Sequence, residues 1–178
     1  MALVFIGLGS NQGDGSHNLR QAWRDLGLAS NTTLLALSSP YLTRPIYKAG
    51  WLESGKTLAK QWFTNAVGVL EYRGTPDELL GLLLSIEGGM GRQRGESFDR
   101  PVDLDILYFD TLTMETDALT IPHPAIQDRL FVLAPMEELA PEHHHPVLAL
   151  TTAQMRRNLP PESAGDVRKT HWDERESP

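Results

Sequence analysis

The residues best suited to chemistry are two aspartates in the run Asp103-Leu104-Asp105. They lie in residues 102–109, where alternating apolar side chains predict a β-strand. Residues two apart on a strand point to the same side of a sheet, so both carboxylates face together while Leu104 and Ile106 face the core. Like charges this close repel and raise each other's pKa unless a cation lies between them. A magnesium ion would relieve the repulsion, because Mg²⁺ binds one or two carboxylates and completes its shell with water and phosphate oxygens.

Basic residues on both sides of the aspartates suggest what the metal would serve. They are Arg92, Arg94 and Arg100 before the pair, and His123 and Arg129 after it. Guanidinium groups bind phosphate oxygens in pairs, so carboxylates flanked by arginines suit a polyphosphate.

Purely structural roles for these residues also stay open at this point. The aspartates also fit the solvated face of an edge strand, since this spacing is common. Arg92 and Arg94 also suit salt bridges to Glu96 and Asp99. His123 lies between two prolines and is as compatible with packing as with phosphate binding.

Two further motifs carry weaker signals. The run from Gly7 to Gly13 resembles a phosphate-binding glycine loop, but it lacks the Gly-Lys-Ser/Thr ending, and Gln12 replaces the third glycine of a dinucleotide motif. The run His143–His145 suggests a metal site, yet adjacent residues rarely face one ion. The neighbouring prolines predict a surface loop for this run, and we expect no physiological metal there.

The elements that must position these residues follow the order strand, helix, strand, strand, helix, strand. Strands are predicted at 2–8, 32–41, 62–72 and 102–109, and helices at 17–28 and 75–88. Thr75, Pro76 and Glu78 have the types and spacing of a helix start with a capping box. This βαββαβ order predicts an antiparallel sheet covered by two helices, with further helices at 125–139 and 151–158.

Composition limits the class of protein. The chain has 178 residues, which predicts one domain over 1–159 followed by a polar tail over 160–178. With 23 acidic and 16 basic residues the net charge is −7, which disfavours broad binding to nucleic acid or anionic membrane. The absence of cysteine excludes disulfides and thiolate metal sites. No basic leader or apolar run of about 20 residues is present, so we expect a cytoplasmic protein, and a monomer.

Six segments within residues 1–150 form a larger pattern. They are 6–11 with 13–14, 41–45, 63–67, 87–94, 100–107, and 121–124 with Arg129 and Phe131. In this order they resemble the 6-hydroxymethyl-7,8-dihydropterin pyrophosphokinase family of the folate pathway. The resemblance implies an α+β, ferredoxin-like sandwich with helices on one face of the sheet. It also implies transfer of the terminal pyrophosphate of ATP to the hydroxymethyl group of a reduced pterin, with release of AMP.

The resemblance also implies roles for residues around the phosphates. Asp103 and Asp105 would hold two Mg²⁺ ions, and Arg92 and Arg100 would join them as catalytic residues. The residues expected to bind the nucleotide are Glu87, Arg92, His123 and Arg129.

A second set would form the pterin pocket: Thr43, Arg44, Phe63, Asn65 and Phe131. Asn65 would hydrogen-bond the edge of the ring and Phe131 would stack on its face, which suits a flat heterocycle.

The sequence departs from the family in two loops. Gly95–Asp99 is shorter and carries Ser97-Phe98-Asp99 where the family has an aromatic-Gly-Pro run, and 43–61 is long. We expect 43–61 and 89–101 to be mobile and to close over the substrates.

The departures from the family leave two alternatives open: a diverged paralogue acting on another pterin or alcohol, and a non-catalytic ferredoxin-like binding module. The module would not need the two aspartates to bind metal.

Overall fold

The computed structural model describes residues 1–44, 62–92, 99–160 and 167–172. Its strands, in chain order, are β1 (Ala2–Ser10), β2 (Thr32–Leu37), β3 (Tyr41–Thr43), β4 (Phe63–Tyr72), β5 (Asp103–Phe109), β6 (Met114–Glu115), β7 (Thr120–Ile121) and β8 (Val167–Lys169). Six of them form one antiparallel sheet in the order β5-β1-β4-β3-β8, with β2 also paired to β4. Strands β6 and β7 form a separate hairpin.

The helices are α1 (Gly15–Gly27), α2 (Pro76–Gly89), α3 (Leu130–Leu139) and α4 (Thr152–Asn158), with a 3₁₀ turn at Ile126–Asp128. Side chains satisfy free amides at the start of α1, α2 and α4, whereas α3 begins after Arg129 without a side-chain cap. The predicted capping box of α2 is confirmed: Thr75 accepts from the Glu78 amide, and the Glu78 carboxylate accepts from the Thr75 amide. Asp14 caps α1 by accepting from the His17 amide at 3.0 Å. Such caps replace hydrogen bonds that the first turn of a helix lacks.

Two hydrophobic cores cover opposite faces of the sheet. The first packs α1 and α2 onto the sheet and contains Ile6, Leu8, Leu19, Leu26, Leu79, Leu83, Leu104 and Ile106. The second packs α3 and α4 onto the other face and contains Phe5, Val67, Leu107, Val132, Leu133, Met136 and Met155. The predicted inward direction of Leu104 and Ile106 is confirmed. Because neighbouring strand residues alternate, Asp103 and Asp105 belong to the α3 side.

Two parts of the sheet differ from the prediction. Residues 32–41 form two strands, because Pro40 lacks an amide donor and Ser38 turns inward, with its hydroxyl accepting from the Val67 amide at 3.0 Å. Residues 167–169, which fell within the predicted polar tail, pair with β3 as β8. Three residues are too few to show a period in the sequence.

Other sequence predictions fall on residues that the structure does not describe. The loop predictions concern mainly 45–61 and 93–98, and Arg94 lies within the second range.

In the part of the chain that is described, no helix is both long and apolar enough to span a bilayer.

The contact between α1 and β4 gives a stability prediction. A Cβ at Gly68 would lie 2.2 Å from a ring carbon of Trp23, so the indole packs directly on the glycine backbone. We expect Gly68→Ala to lower the free energy of unfolding by about 1–3 kcal/mol through overpacking. The control is Gly81→Ala in α2, where a Cβ meets nothing within 4 Å; it should raise stability by up to about 1 kcal/mol. Urea unfolding measures both, and a Gly68→Ala protein as stable as wild type would contradict this packing.

Candidate active site

The two aspartates lie beside glycines of the central strand. In the register of the sheet, Gly7 is opposite Asp105, and Gly9 lies between Asp103 on one side and Asn65 on the other. A Cβ at Gly9 would come within 3.2 Å of the Asn65 Oδ1 atom. Gly7 and Gly9 of the glycine run at 7–13 are thus part of β1, and the missing side chain of Gly9 lets Asp103 and the Asn65 amide face each other across the strand.

Asp103 is held by two arginines. Its Oδ1 atom is 2.5 Å from Arg92 Nη1, and its Oδ2 atom is 2.9 Å from Arg100 Nη2. The structure therefore brings together three of the four residues predicted to be catalytic. The alternative pairing of Arg92 and Arg94 with Glu96 and Asp99 falls mainly on residues outside the described ones, namely Arg94 and Glu96.

Glu87 lies beneath these ion pairs and is only 2% exposed. Its carboxylate accepts from the Leu104 amide at 2.8 Å and from Arg92 Nη1. Burial raises the pKa of Glu87, while the Leu104 hydrogen bond and the Arg92 charge oppose that rise. Glu87 thus ties α2 to the strand that carries the aspartates.

Asp105 completes the acidic pair and has no hydrogen-bond or ion-pair partner among the described residues. Burial, and then the charge of Asp103, raises the pKa of Asp105 to about 6, while Arg129 opposes the rise. A divalent cation between the two carboxylates would offset both causes, so these residues fit magnesium. The described residues contain no cluster of three or more metal-ligating side chains. Water and phosphate oxygens would therefore supply the other ligands.

His123 and Arg129 form a second group of donors. His123 Nδ1 accepts from the Ala125 amide at 3.2 Å, which leaves the proton of a neutral imidazole on Nε2. That nitrogen is 3.5 Å from Arg129 Nη1. Burial and then the Arg129 charge lower the pKa of His123 to about 4. A neutral donor beside a guanidinium is an arrangement that binds an anion.

The pKa of His123 predicts how stability depends on pH. Because the folded pKa is depressed, the unfolded chain binds more protons between about pH 6.5 and 4, and stability is lost as the pH falls through this window. His143 and His145 also have lowered pKa values and act in the same direction. We expect His123→Gln to lose less stability than wild type between these pH values. Thermal unfolding at a series of pH values measures this, and parallel curves for the two proteins would contradict it.

The predicted pterin residues lie on two sides of the aspartates. Asn65 Nδ2 donates to Thr43 Oγ1 at 2.9 Å, and both side chains are buried. The guanidinium of Arg100 lies 5.5 Å from the Phe63 ring centre. On the other side, Arg129 lies 5.7 Å from the centre of Phe131. Arg44 instead lies over Trp62, at 5.2 Å.

Asn11 is a site residue that the sequence analysis did not assign to a role. Its side chain donates to Asp99 Oδ1 at 2.7 Å and accepts from the Arg100 amide at 2.8 Å. It therefore fixes the chain where Arg100 enters the site. The signal available in the sequence was an asparagine directly after an apolar strand. In the structure Asn11 is 3% exposed.

Two of the three adjacent histidines, His143 and His145, pack beside the second core, and His144 is exposed. The His143 ring lies 4.5 Å from Phe5 and 4.6 Å from Tyr108, measured between ring centres. His145 is 6% exposed, and its Nδ1 atom accepts from the amides of Val147 and Leu148. The predicted surface loop is therefore wrong for His145. A groove of about 430 Å³ separates this segment from β6 and β7 and reaches His123.

Comparison with solved structures establishes the architecture. A crystal structure of the HPPK-DHPS triple mutant of Plasmodium falciparum matches with a TM-score of 0.67 over 88% of this chain and 43% of that chain. At 16% identity the match shows the fold alone. The predicted α+β fold class is confirmed.

Sequence comparison places the chain among pyrophosphokinases. The 2-amino-4-hydroxy-6-hydroxymethyldihydropteridine pyrophosphokinase of Bacillus subtilis is 38% identical over 138 residues, which cover 77% of each chain. That of Methylorubrum extorquens is 33% identical, over 80% of this chain and 85% of its own length. The folic acid synthesis protein FOL1 of Dictyostelium discoideum is 32% identical over 89% of this chain, which spans only 22% of that protein.

The class defined by this fold and these relatives is that of pyrophosphate-transferring kinases. The chain belongs to the 7,8-dihydro-6-hydroxymethylpterin-pyrophosphokinase family, whose model matches residues 5–141. The family and the enzyme class predicted from the sequence are thereby confirmed, and no finding favours the binding-module alternative.

Proposed function

We propose that this protein transfers the terminal pyrophosphate of ATP to the hydroxymethyl group of 6-hydroxymethyl-7,8-dihydropterin and releases AMP. The observation that carries the proposal is the pair Asp103 and Asp105, with Arg100 on one side and the His123–Arg129 donors on the other. The names of the bacterial relatives support the choice of pterin.

Asp103 and Asp105 would hold two Mg²⁺ ions. When bound, these ions neutralise phosphate charge and align the phosphates for displacement. Asp103, which pairs with Arg92 and Arg100, would offer its carboxylate to the metal in place of these ion pairs. The released guanidinium groups then become available to the phosphate oxygens.

The reaction forms a bond from the hydroxymethyl oxygen to the β-phosphorus of ATP. The bond from that phosphorus to the oxygen bridging the α-phosphate breaks, AMP leaves with this oxygen, and the hydroxyl proton is lost. The protein contributes position and charge in such a transfer. Arg92 and Arg100 stabilise the charge from one side, and His123 and Arg129 bind the triphosphate from the other. Glu87, being buried, orients Arg92 rather than facing open solvent.

The pterin would lie between Asn65 and Phe131. Because Asn65 Nδ2 is used by Thr43, its Oδ1 atom, beside Gly9, is the group that accepts from the ring edge. Phe131 and Phe63 supply flat apolar surfaces, and Thr43 and Arg44 line the pocket.

We propose small-molecule partners only, and a monomer that works in the cytoplasm. The net charge of −7 supports the absence of nucleic acid and membrane partners.

The proposed function predicts the product of a single assay. Incubation with ATP, Mg²⁺ and the reduced hydroxymethyl pterin should release AMP, which chromatography separates from ADP. Formation of ADP would contradict pyrophosphate transfer. Absence of turnover with this pterin, when nucleotide binds with Mg²⁺, would favour the paralogue acting on another alcohol.

A further inference from the structure

The strand β8 lies beyond residues 5–141, the part of the chain that the family model matches. It pairs antiparallel with β3, in the register Tyr41 with Lys169 and Thr43 with Val167. Strand β3 has only three residues, and its other side pairs with β4. Without β8, the short strand that carries Thr43 would be the edge of the sheet.

Glu138 of α3 joins β8 to β3 from the side. Its Oε1 atom accepts from the amide and hydroxyl of Ser39 at 3.0 and 2.9 Å. Its Oε2 atom accepts from Tyr41 at 3.0 Å and is 3.1 Å from Lys169 Nζ. One carboxylate thus holds the start of β3 and the end of β8 against the same helix.

The residues after β8 bind the segment that connects β2 to β3. The Thr170 amide donates to the Pro40 carbonyl at 2.8 Å, and Trp172 Nε1 donates to the Ser38 carbonyl at 3.0 Å. Ser38 is fully buried. Arg168 lies over Trp62, 5.3 Å from the ring centre, at the point where β4 begins.

These contacts all converge on the strands that carry Thr43 and Asn65. We propose that the C-terminal segment 167–172 positions the pterin pocket, with Lys169 and Trp172 as its positioning residues. They act through β3, which sets the Thr43 hydroxyl that orients the Asn65 amide at 2.9 Å. The proposal rests on the proposed function, because it assigns Asn65 to the pterin.

The effect should be confined to one substrate. Glu87, Arg92 and Asp103 are fixed by contacts among α2, β5 and the residues beside them. The hydrogen bonds, ion pair and ring contact described for 167–172 reach α3, Trp62 and residues 38–43, and the Trp172 ring also packs against the first core. Loosening β3 therefore changes the Asn65 side of the site and leaves the carboxylates in place.

The test compares Lys169→Ala, Trp172→Phe and the double variant with wild type. The matched control is Arg157→Ala, which removes an exposed basic side chain from α4. Lys169→Arg keeps the charge opposite Glu138 and serves as the conservative variant. Calorimetry measures the Kd of the reduced pterin in the presence of a non-hydrolysable ATP analogue with Mg²⁺, and the Kd of that analogue alone. Steady-state kinetics gives KM for pterin and kcat.

We expect the double variant to raise the Kd and KM for pterin by about 10-fold, because small displacements of orienting groups have large effects. The Kd of the nucleotide analogue and kcat at saturating pterin should change by less than about 2-fold, within the scatter of distant substitutions. Lys169→Arg and Arg157→Ala should behave as wild type. Hydrogen exchange of the amides of residues 41–43 should become faster in the double variant, while that of β1 and β5 stays unchanged.

Three results would overturn the inference. Unchanged pterin affinity in the double variant would show that β8 does not set the pocket. An equal loss of pterin and nucleotide affinity would show a general loss of structure. If wild type binds the nucleotide but not the pterin, the proposed function fails and the inference fails with it.

Discussion

Asp105→Asn is expected to lower turnover by at least about 100-fold while leaving the apo protein as stable as wild type or more stable. The loss of turnover follows from removing a carboxylate that we propose to bind metal. The gain in stability follows because burial and the charge of Asp103 both disfavour the ionised Asp105 side chain. Quenched assays of AMP release and thermal unfolding without metal measure the two effects.

Asp103→Asn provides the matched comparison. It should lower turnover to a similar extent but also lower apo stability, because Arg92 and Arg100 both pair with this carboxylate. Near wild-type turnover in both variants would contradict the metal site. Equal changes in stability would contradict the different surroundings of the two aspartates.

Arg92→Ala is expected to reduce both stability and kcat. Its side chain is 19% exposed and pairs with Asp103 and the buried Glu87, so its loss removes a countercharge from Glu87. We expect unfolding to become easier by about 2–4 kcal/mol, as when one partner of a buried ion pair is removed. We expect kcat to fall by about 100-fold, with a smaller change in nucleotide affinity, because the guanidinium acts mainly on charge that develops during transfer.

Arg100→Ala separates these two effects. The Arg100 side chain is 31% exposed, and its ion pair is with Asp103. Its removal should cost less than about 1 kcal/mol of stability but lower kcat as strongly as Arg92→Ala. The double variant Glu87→Gln/Arg92→Ala should recover part of the stability lost in Arg92→Ala and none of the turnover. A kcat for Arg100→Ala close to wild type would remove this residue from the catalytic set.

Local features of the sequence predicted local features of the structure. Alternation along 102–109 indicated which side chains face the core, and Thr75 and Glu78 indicated where α2 begins. Both signals depend on neighbours in the chain, which a sequence displays directly. The ion pairs of Arg92 and Arg100 with Asp103 could also be predicted from the sequence, since these residues are close together in the chain.

Contacts between distant segments explain most of what was not predicted. Asn11 fixes Arg100 from 89 residues away, and Trp172 bonds to Ser38 from 134 residues away. Neither contact has a period or spacing that the sequence reveals. The break between β2 and β3 depends on the hydrogen bond from the Val67 amide to the Ser38 hydroxyl. Pro40 alone was therefore not enough to predict where the strand ends. The family resemblance placed Glu87 near the nucleotide, and the sequence did not show its burial, because that burial depends on α2 packing against β5.

The site contains its own counterions. The carboxylates of Glu87, Asp103 and Asp105 are surrounded by the guanidinium groups of Arg92, Arg100 and Arg129. In the proposed complex, a nucleoside triphosphate with two divalent cations is itself close to neutral, so its binding would add little net charge to the site. Ionic strength should therefore act weakly on the affinity for the metal complex and strongly on the affinity for free ATP. We therefore expect the protein to prefer the nearly neutral metal complex of the nucleotide over free ATP.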